Sequence, residues 1–391
     1  MRVAIIGGSA SGLYSAILIK RAHPDFEVAL FEKNDSFGKK LAATGNGHCN
    51  LLNKNLTPIA YHNNDLASRL IEKYPYERLE ATLKGLGVSL YEVGDLVYPS
   101  CYHAPTYVSF LLETARGLGV ELYPSFCFKK YRKLGDGYAI SFEKEEIEVD
   151  KIVFALGAKS QARLGSDGSF VQELSSHRYK VNPFLPSLCP IRLREKVKKL
   201  SGLRHKANVK AYINERCVYE ENGEILFKDD GLSGIAIMNA SSYLVRGDSN
   251  NSYIELDLFP SLPLKAMKEE LRTLSANNQT HFLDTLLIRP LKEYLLYFIG
   301  ASKKEVLDES DIDCLAEALK CLTFHYEGNY GFDQSQVSIG GIDINEVREG
   351  NESKRENGVY FVGEMLDVDG ICGGYNLSFA LACSLEVASY I

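Results

Sequence analysis

No stretch of this chain approaches the eighteen or so consecutive apolar residues that a membrane-spanning helix needs. An excess of positive charge is also missing. Lysine and arginine number 44 against 51 aspartates and glutamates, a net charge of −7, which removes any general electrostatic case for nucleic acid or an anionic membrane. A local basic run, Arg192 to His205, stands apart from that balance. The nine cysteines, at 49, 101, 127, 189, 217, 314, 321, 372 and 383, never form a C-x-x-C or C-x-x-x-x-C pair. They read as reduced thiols, which excludes a disulfide framework, a metal site and a redox couple of neighbouring cysteines. There is no internal repeat and no low-complexity tract. The first strand starts at Arg2 and leaves no room for a signal peptide, so a cytoplasmic protein is expected. At roughly 150 residues per domain, 391 residues predict two or three domains.

The opening thirty residues carry most of the information. Val3 to Ile6 is a β-branched apolar run of the kind a buried parallel strand needs, and it leads directly into Gly7-Gly8-Ser9-Ala10-Ser11-Gly12. From Ala10 the residues Leu13, Tyr14 and Ile17 recur at helical spacing, and Glu27 to Phe31 returns as a second strand ending at Glu32. This is a βαβ crossover. Gly7 permits the tight turn, Gly12 lets helix and strand pack closely, and the amides at the helix start face a pyrophosphate. Glu32, twenty residues after Gly12, can accept both hydroxyls of an adenosine ribose and repels a 2′-phosphate. Ser9 stands where the second glycine of G-x-G-x-x-G is usual.

Downstream, Gly38 to Asn53 is rich in glycine and amides and predicts an extended ligand-facing loop. A helix is expected over 65–87 and another over Pro105 to Leu118, with a break at Tyr98-Pro99-Ser100 between them. Val120 to Tyr123, Phe126 to Tyr131, Tyr138 to Phe142 and Ile147 to Val149 predict a four-stranded meander, with a turn at Glu143 to Glu146. Lys151 to Gly157 is a buried strand ending on glycine. Beyond Pro183-Phe-Leu-Pro-Ser187 the pattern alternates as antiparallel strands at 188–193, 206–213, 216–219, 224–227 and 253–258, interrupted by a glycine turn at Gly231 to Gly234 before an apolar helix. Helices are predicted at Leu264 to Leu274, His281 to Leu287, Leu291 to Ile299 and Asp311 to Leu322. The strand Gly358 to Glu364 and a last helix from Leu377 return to the first domain. His103 and His325 read as structural, and Tyr98, Tyr102 and Tyr107 as core or pocket wall.

Four stretches together resemble a family of bacterial FAD-dependent oxidoreductases of the glutathione-reductase type, long known as conserved hypothetical flavoproteins. The family pattern G-K-K-x-x-x-T-G-N-G-R-C-N-L-x-N matches residues 38–53, G-L-S-G matches 231–234, and S-x-G-G-[IV] matches 338–342. The pattern G-[LV]-Y-F-x-G-E-x-L-D-V-x-G-x-x-G-G-Y-N-L matches 358–377. His48 replaces the usual Arg, and Lys228-Asp229 the usual Thr-His. The resemblance implies an α/β chain: an FAD-binding Rossmann domain at 1–186 and 336–391, an inserted β-barrel-like subdomain at 187–259 and 323–335, and a helical subdomain at 260–322. It implies that Gly7, Gly8, Ser9, Ala10 and Gly12 hold the FAD pyrophosphate, Glu32 and Lys33 the ribose, and the backbone near Phe128 the adenine. Lys40, Leu41, Thr44, Gly45, Asn46, Gly47, Cys49 and Asn50 would run along the ribityl chain and flavin. Ala155, Leu156 and Gly157 would pass the pyrophosphate, with Gly363 and Glu364 at the ribityl and phosphate region. The helix entered at Gly374, Tyr375, Asn376 and Leu377 would aim its dipole at the flavin N1/O2 edge. His48, Lys228 and Asp229 would line the substrate side. No catalytic base and no metal ligand is singled out.

Length and the Ser9-Ala10-Ser11-Gly12 turn are similar to those of aminoacetone-oxidising members of the family. The expected activity is therefore deamination of a small primary amine such as aminoacetone, with molecular oxygen as acceptor, giving methylglyoxal, ammonia and hydrogen peroxide. An NAD(P)H-recycled flavin reductase and an RNA-modifying or non-catalytic FAD protein are the alternatives. The lack of a second glycine fingerprint favours the oxidase, and the acidic balance argues against RNA.

Overall fold

A computed structural model of the chain describes every residue but Lys144, with side chains for the others except Asn64 and residues 277–280. Arg2–Ile6 sits at the centre of a five-stranded parallel sheet, in the order Val359–Phe361, Lys151–Phe154, Arg2–Ile6, Glu27–Glu32, Glu121–Pro124. Val3, Ala4, Ile5 and Ile6 are all at most 1 % exposed, which is why the strand is a continuous apolar run rather than an alternating one. The crossover helix Ala10–Ala22 buries Leu13, Tyr14 and Ile17 and lies against the last helix, Tyr375–Tyr390. Serines make that approach close: Ser15 Oγ donates to Ser384 Oγ (3.1 Å), and Ser384 Oγ lies 3.1 Å from the Ser11 carbonyl. The chain's two ends are thus stitched together over the first strand.

The chain divides into two compact units, Met1–Pro186 with Gln336–Ile391, and Ser187–Ser335. In the first, several expectations are corrected. The segment 38–53 is not an extended loop. It holds a short helix, Lys39–Ala43, a 3-10 turn, Thr44–Gly47, and a strand, Leu52–Asn53, because burial of Leu41 against the helix Ala104–Gly117 outweighs weak propensity. The helix expected over 65–87 is two, Asn64–Lys73 and Tyr76–Gly85; Pro75 has no N–H to continue the first and stands at the cap of the second. Leu96–Pro99 is a strand paired with Leu90–Val93, where a break was expected. Of the expected meander, Phe128–Leu134, Gly137–Phe142 and Glu146–Val149 form an antiparallel sheet, while Glu121–Pro124 joins the parallel sheet instead. The turn expected at Glu143 to Glu146 includes Lys144, outside the described residues. Val181–Ser187, where only a change of character was read, is a strand beside Val337–Ile342.

The second unit is built on a closed barrel in the order Ile191–Leu193, Gly231–Ser233, Arg216–Phe227, Arg204–Ile213, Ser252–Asp257, Leu322–Asn329. The strands expected at 216–219 and 224–227 are one, paired along Arg204–Ile213 with a bulge at Ala211/Tyr212. Gly231 belongs to a strand and not a turn, for a Cβ there would lie 1.9 Å from the Ile191 carbonyl oxygen. The segment expected as one helix at His281 to Leu287 is a 3-10 turn, Gln279–Phe282, followed by Leu283–Leu286. Met267, Leu271, Leu291, Leu295, Leu315 and Leu319 from the helices share one apolar core with Val209, Phe227 and Phe324 of the barrel. Among the described residues no helix is long and apolar enough to cross a membrane.

Candidate functional site

The turn after the first strand is shaped by what cannot be there. A Cβ on Gly7 (φ 109°) would meet the Ala155 carbonyl oxygen at 2.2 Å, one on Gly12 would meet the Gly7 oxygen at 1.8 Å, and one on Gly8 the Phe37 ring at 2.3 Å. Ser9 begins the helix without a side-chain cap, so no Ser9 hydroxyl covers the amides of the first turn. Glu32 closes the other side. Its carboxylate is 8 % exposed and accepts from Gly8 N (2.8 Å), Asn34 N (2.9 Å) and Asn34 Nδ2 (2.7 Å), which uses three of about four acceptor sites. Lys33 is ion-paired to Asp167 at 2.7 Å.

A second knot joins segments far apart in the chain. Lys40 Nζ lies 2.5 Å from Glu364 Oε2 and 2.6 Å from Ser160 Oγ, and Glu364 Oε1 accepts from Ser338 N and lies near Ser160 Oγ, both at 3.0 Å. The 38–53 motif, the loop after Gly157, the 338–342 motif and Gly363-Glu364 meet on this one ion pair. Ser160, Ser338 and Asp367 had no predicted role. Asp367 accepts from Gly340 N (2.9 Å) and Asn182 Nδ2 (2.7 Å), and its signal was its place in the L-D-V motif.

The rest of the 38–53 motif is stitched to the start of the last helix. With its amide turned to satisfy both ends, Asn50 donates to the Leu52 carbonyl (3.0 Å) and accepts from Gly374 N (3.2 Å). Asn53 Nδ2 donates to the Gly373 carbonyl at 2.8 Å. Gly374 is left-handed (φ 90°), and a Cβ there would meet the Leu52 oxygen at 2.6 Å. Tyr375 receives Tyr61 OH on its carbonyl (2.7 Å), the Asn376 amide brackets Gly370, and Leu377 is half-buried. Leu41 is buried and its carbonyl accepts Thr44 Oγ1 at 2.7 Å. Gly45, Asn46, Gly47 and Cys49 all adopt positive φ. Burial pushes the Cys49 thiol up to about 12, more than Thr44 lowers it, so it stays protonated. All nine cysteines are free, and among the described residues no group of three or more His, Cys, Asp or Glu could hold a metal.

His48 projects from the same motif. Its Nδ1 is 2.9 Å from the Tyr102 carbonyl oxygen and its ring stacks on Tyr102 (centroids 4.1 Å, planes 16° apart), with Tyr98 and Tyr91 edge-on behind Tyr102. Phe128 packs edge-on against Phe154 (5.3 Å), in the strand that follows Phe126, whose N donates to the Glu32 carbonyl. Ala155 N bonds to the Ile6 carbonyl (2.8 Å), half-buried Leu156 follows, and Gly157 (φ 71°) leaves only 2.5 Å between a Cβ and Ser166 Oγ. Gly363 likewise abuts Ser11. Lys228 and Asp229 belong to the second unit: Lys228 Nζ donates to Gln334 Oε1 (2.9 Å) over the Tyr330 ring, and Asp229 accepts from Ser201 Oγ (2.5 Å). His103 is an N-cap, accepting from Thr106 N, and His325 pairs with Glu195.

The chain is 29% identical over 394 residues to the 3-dehydro-bile acid delta(4,6)-reductase of Clostridium scindens, covering 97% of this chain and 96% of that one. It is 25% identical over 403 residues to the ribosomal RNA dihydrouridine synthase of Haemophilus influenzae, covering 98% of each. In fold it is similar to the 3-ketosteroid-delta4-(5alpha)-dehydrogenase of Rhodococcus jostii RHA1, with a TM-score of 0.51 at 11% identity over 99% of this chain and 96% of that one. The model of the HI0933-like protein Rossmann domain matches residues 1–390. With its glycine turn, its buried Glu32 and that match over nearly every residue, the chain belongs to the HI0933-like family of FAD-binding Rossmann oxidoreductases.

Proposed function

We propose that this protein is a reductase that adds hydrogen across a carbon–carbon double bond conjugated with a carbonyl group. The observation that carries this reading is the end-to-end likeness to two relatives whose names share that chemistry. One is named for reducing the delta(4,6) unsaturation of a 3-dehydro bile acid, the other for dihydrouridine, a uridine whose ring alkene has been hydrogenated. A steroid acid and a nucleoside have little else in common.

FAD supplies the hydride when bound, and the residues fit it. The Cβ-free surface at Gly7, Gly8 and Gly12 lets a pyrophosphate reach the amides of Ser9, Ala10 and the first turn. Glu32, with one acceptor site left, would take a ribose hydroxyl, with Lys33 beside it and Phe128 near the adenine. Ala155, Leu156 and Gly157 would border the phosphates, and the Lys40–Glu364 pair the ribityl chain, with Gly363. Thr44, Gly45, Asn46, Gly47, Cys49, Asn50 and the helix start at Gly374 to Leu377 would enclose the flavin, the helix dipole favouring negative charge there. With one glycine fingerprint in the sequence, the hydride donor that restores the cofactor would dock transiently rather than occupy a second Rossmann domain.

Oxidation of a small primary amine such as aminoacetone is a second reading, favoured by the likeness of the Ser9 to Gly12 turn to the streptococcal aminoacetone oxidase. One anaerobic experiment separates the two. Dithionite-reduced protein mixed with 2-cyclohexen-1-one, a 3-oxo-4-ene steroid or uridine should regain oxidised-flavin absorbance. No recovery with any of them, together with bleaching of the oxidised protein by aminoacetone, overturns the reductase in favour of the oxidase.

A further inference from the structure

Hydrogenating a conjugated alkene takes a hydride and a proton. We infer that His48 delivers the proton from its Nε2; the inference rests on the reductase reading above. Nδ1 faces the Tyr102 carbonyl oxygen at 2.9 Å, and a carbonyl oxygen only accepts, so Nδ1 carries hydrogen in either ring state. Proton exchange is therefore confined to Nε2, which has no hydrogen-bond partner among the described residues.

The ring is also held still. Its face lies on Tyr102, and Tyr102 is backed edge-on by Tyr98 (4.9 Å) and Tyr91 (6.1 Å). The backbone that presents it is strained on both sides. Asn46 (φ 54°), Cys49 (φ 62°) and Tyr102 (φ 49°) are non-glycine residues in the left-handed region. Such conformations persist where the surroundings over-determine them, and they concentrate at active sites. His48 also lies between two anchors of the cofactor motif, Lys40 on Glu364 and Asn50 on Gly374.

Four other donors around this motif are committed. Cys49 is fully buried, the Tyr14 and Tyr107 hydroxyls are buried against each other at 2.9 Å, and the Lys40 ammonium is held by Glu364 and Ser160. The ring's neighbours on this ledge, Tyr102, Tyr98 and Tyr91, include no carboxylate.

The step balances. Bound and reduced, FAD would supply the hydride at the carbon β to the carbonyl, and the alkene's π pair forms a C–H bond at the α carbon with the Nε2 proton. The N–H electron pair stays on imidazole, which solvent reprotonates, and the cofactor that gave the hydride would be left oxidised.

Two measurements test the assignment. In the anaerobic mixing experiment with 2-cyclohexen-1-one, a 3-oxo-4-ene steroid or uridine, H48Q should keep its FAD and its reduction by dithionite, while reoxidation by whichever probe the wild type accepts slows about 100-fold or more. A reoxidation rate equal to wild type overturns His48 alone. Failure of the wild type with every probe overturns the reductase reading and this inference with it. If H48Q does not fold or loses FAD, nitrogen-15 NMR of histidine-labelled wild-type protein decides: an Nδ1–H tautomer with Nε2 titrating supports the assignment, and an Nε2–H tautomer overturns it.

Discussion

Glu32 is proposed to hold the FAD ribose, and its surroundings in the protein set what that proposal predicts. Three protein donors fix the carboxylate and leave it one acceptor site. E32A should weaken FAD binding by roughly 1.5–3 kcal/mol, tenfold or more, the range for a hydrogen bond to a charged group. Titration of apoprotein with FAD measures it, and an unchanged affinity would put the ribose elsewhere. Asp343 makes a prediction about pH. Burial alone would raise its carboxyl, but Lys180 at 2.6 Å and two donors from Asn345 at 2.9 Å outweigh it and hold it at about 2. A pKa depressed below the unfolded value near 4 means stability present above that value and lost as pH falls from about 4 toward 2. The melting temperature of D343N should lie below wild type at pH 5 and converge with it as the pH falls through that window; a constant gap would show that the charge is not the cause. The position of Glu32 at the end of its strand was legible because strand, turn and helix lengths fix it. The Lys40–Glu364 pair was not, since 324 residues separate its members and only the folded sheet brings them together.

At the scale of elements, the βαβ unit follows from sequence because each local cue agrees with the burial it meets: apolar strand, glycine turn, periodic helix. Gly12 is where that agreement is tightest. G12A would place a methyl carbon 1.8 Å from the Gly7 carbonyl oxygen, backbone with no rotamer to yield. The variant should purify with little FAD and a lowered melting temperature, read as the flavin-to-protein absorbance ratio and by thermal unfolding; wild-type occupancy would refute the cradle. Elements were misread where tertiary contact decides. Leu41 makes a helix of a glycine-rich segment by burial, and Gly231 becomes a barrel strand because Ile191 presses on it. Pro75 was a signal in plain view: the apolar spacing runs through it, but the backbone hydrogen bonds cannot.

At the scale of the whole molecule, the described residues form an apolar core in each unit, and the residues proposed to hold FAD all lie in the first. The second unit, Ser187–Ser335, lies in sequence between the two stretches of the first. The closure of its barrel was hard to read, because Gly231–Ser233 supplies a strand of three residues with almost no side-chain pattern. Separate cores give a thermodynamic expectation. A ligand stabilises what it binds by RT ln(1 + [L]/Kd), about 2.7 kcal/mol when FAD stands a hundredfold above its Kd. Stabilisation of that size should slow amide exchange in peptides from 1–186 and 336–391 when FAD is added to apoprotein, most of all around Gly7 to Leu13, Lys39 to Asn53 and Gly363 to Leu377. Peptides from the barrel interior, such as Val209 to Ile213 and Ile254 to Leu258, should exchange as before. Hydrogen exchange read by mass spectrometry, with and without FAD, tests this. Protection of the barrel peptides equal to that of the glycine turn would mean that FAD is held by both units and that the assignment of its site to the first unit's residues is wrong.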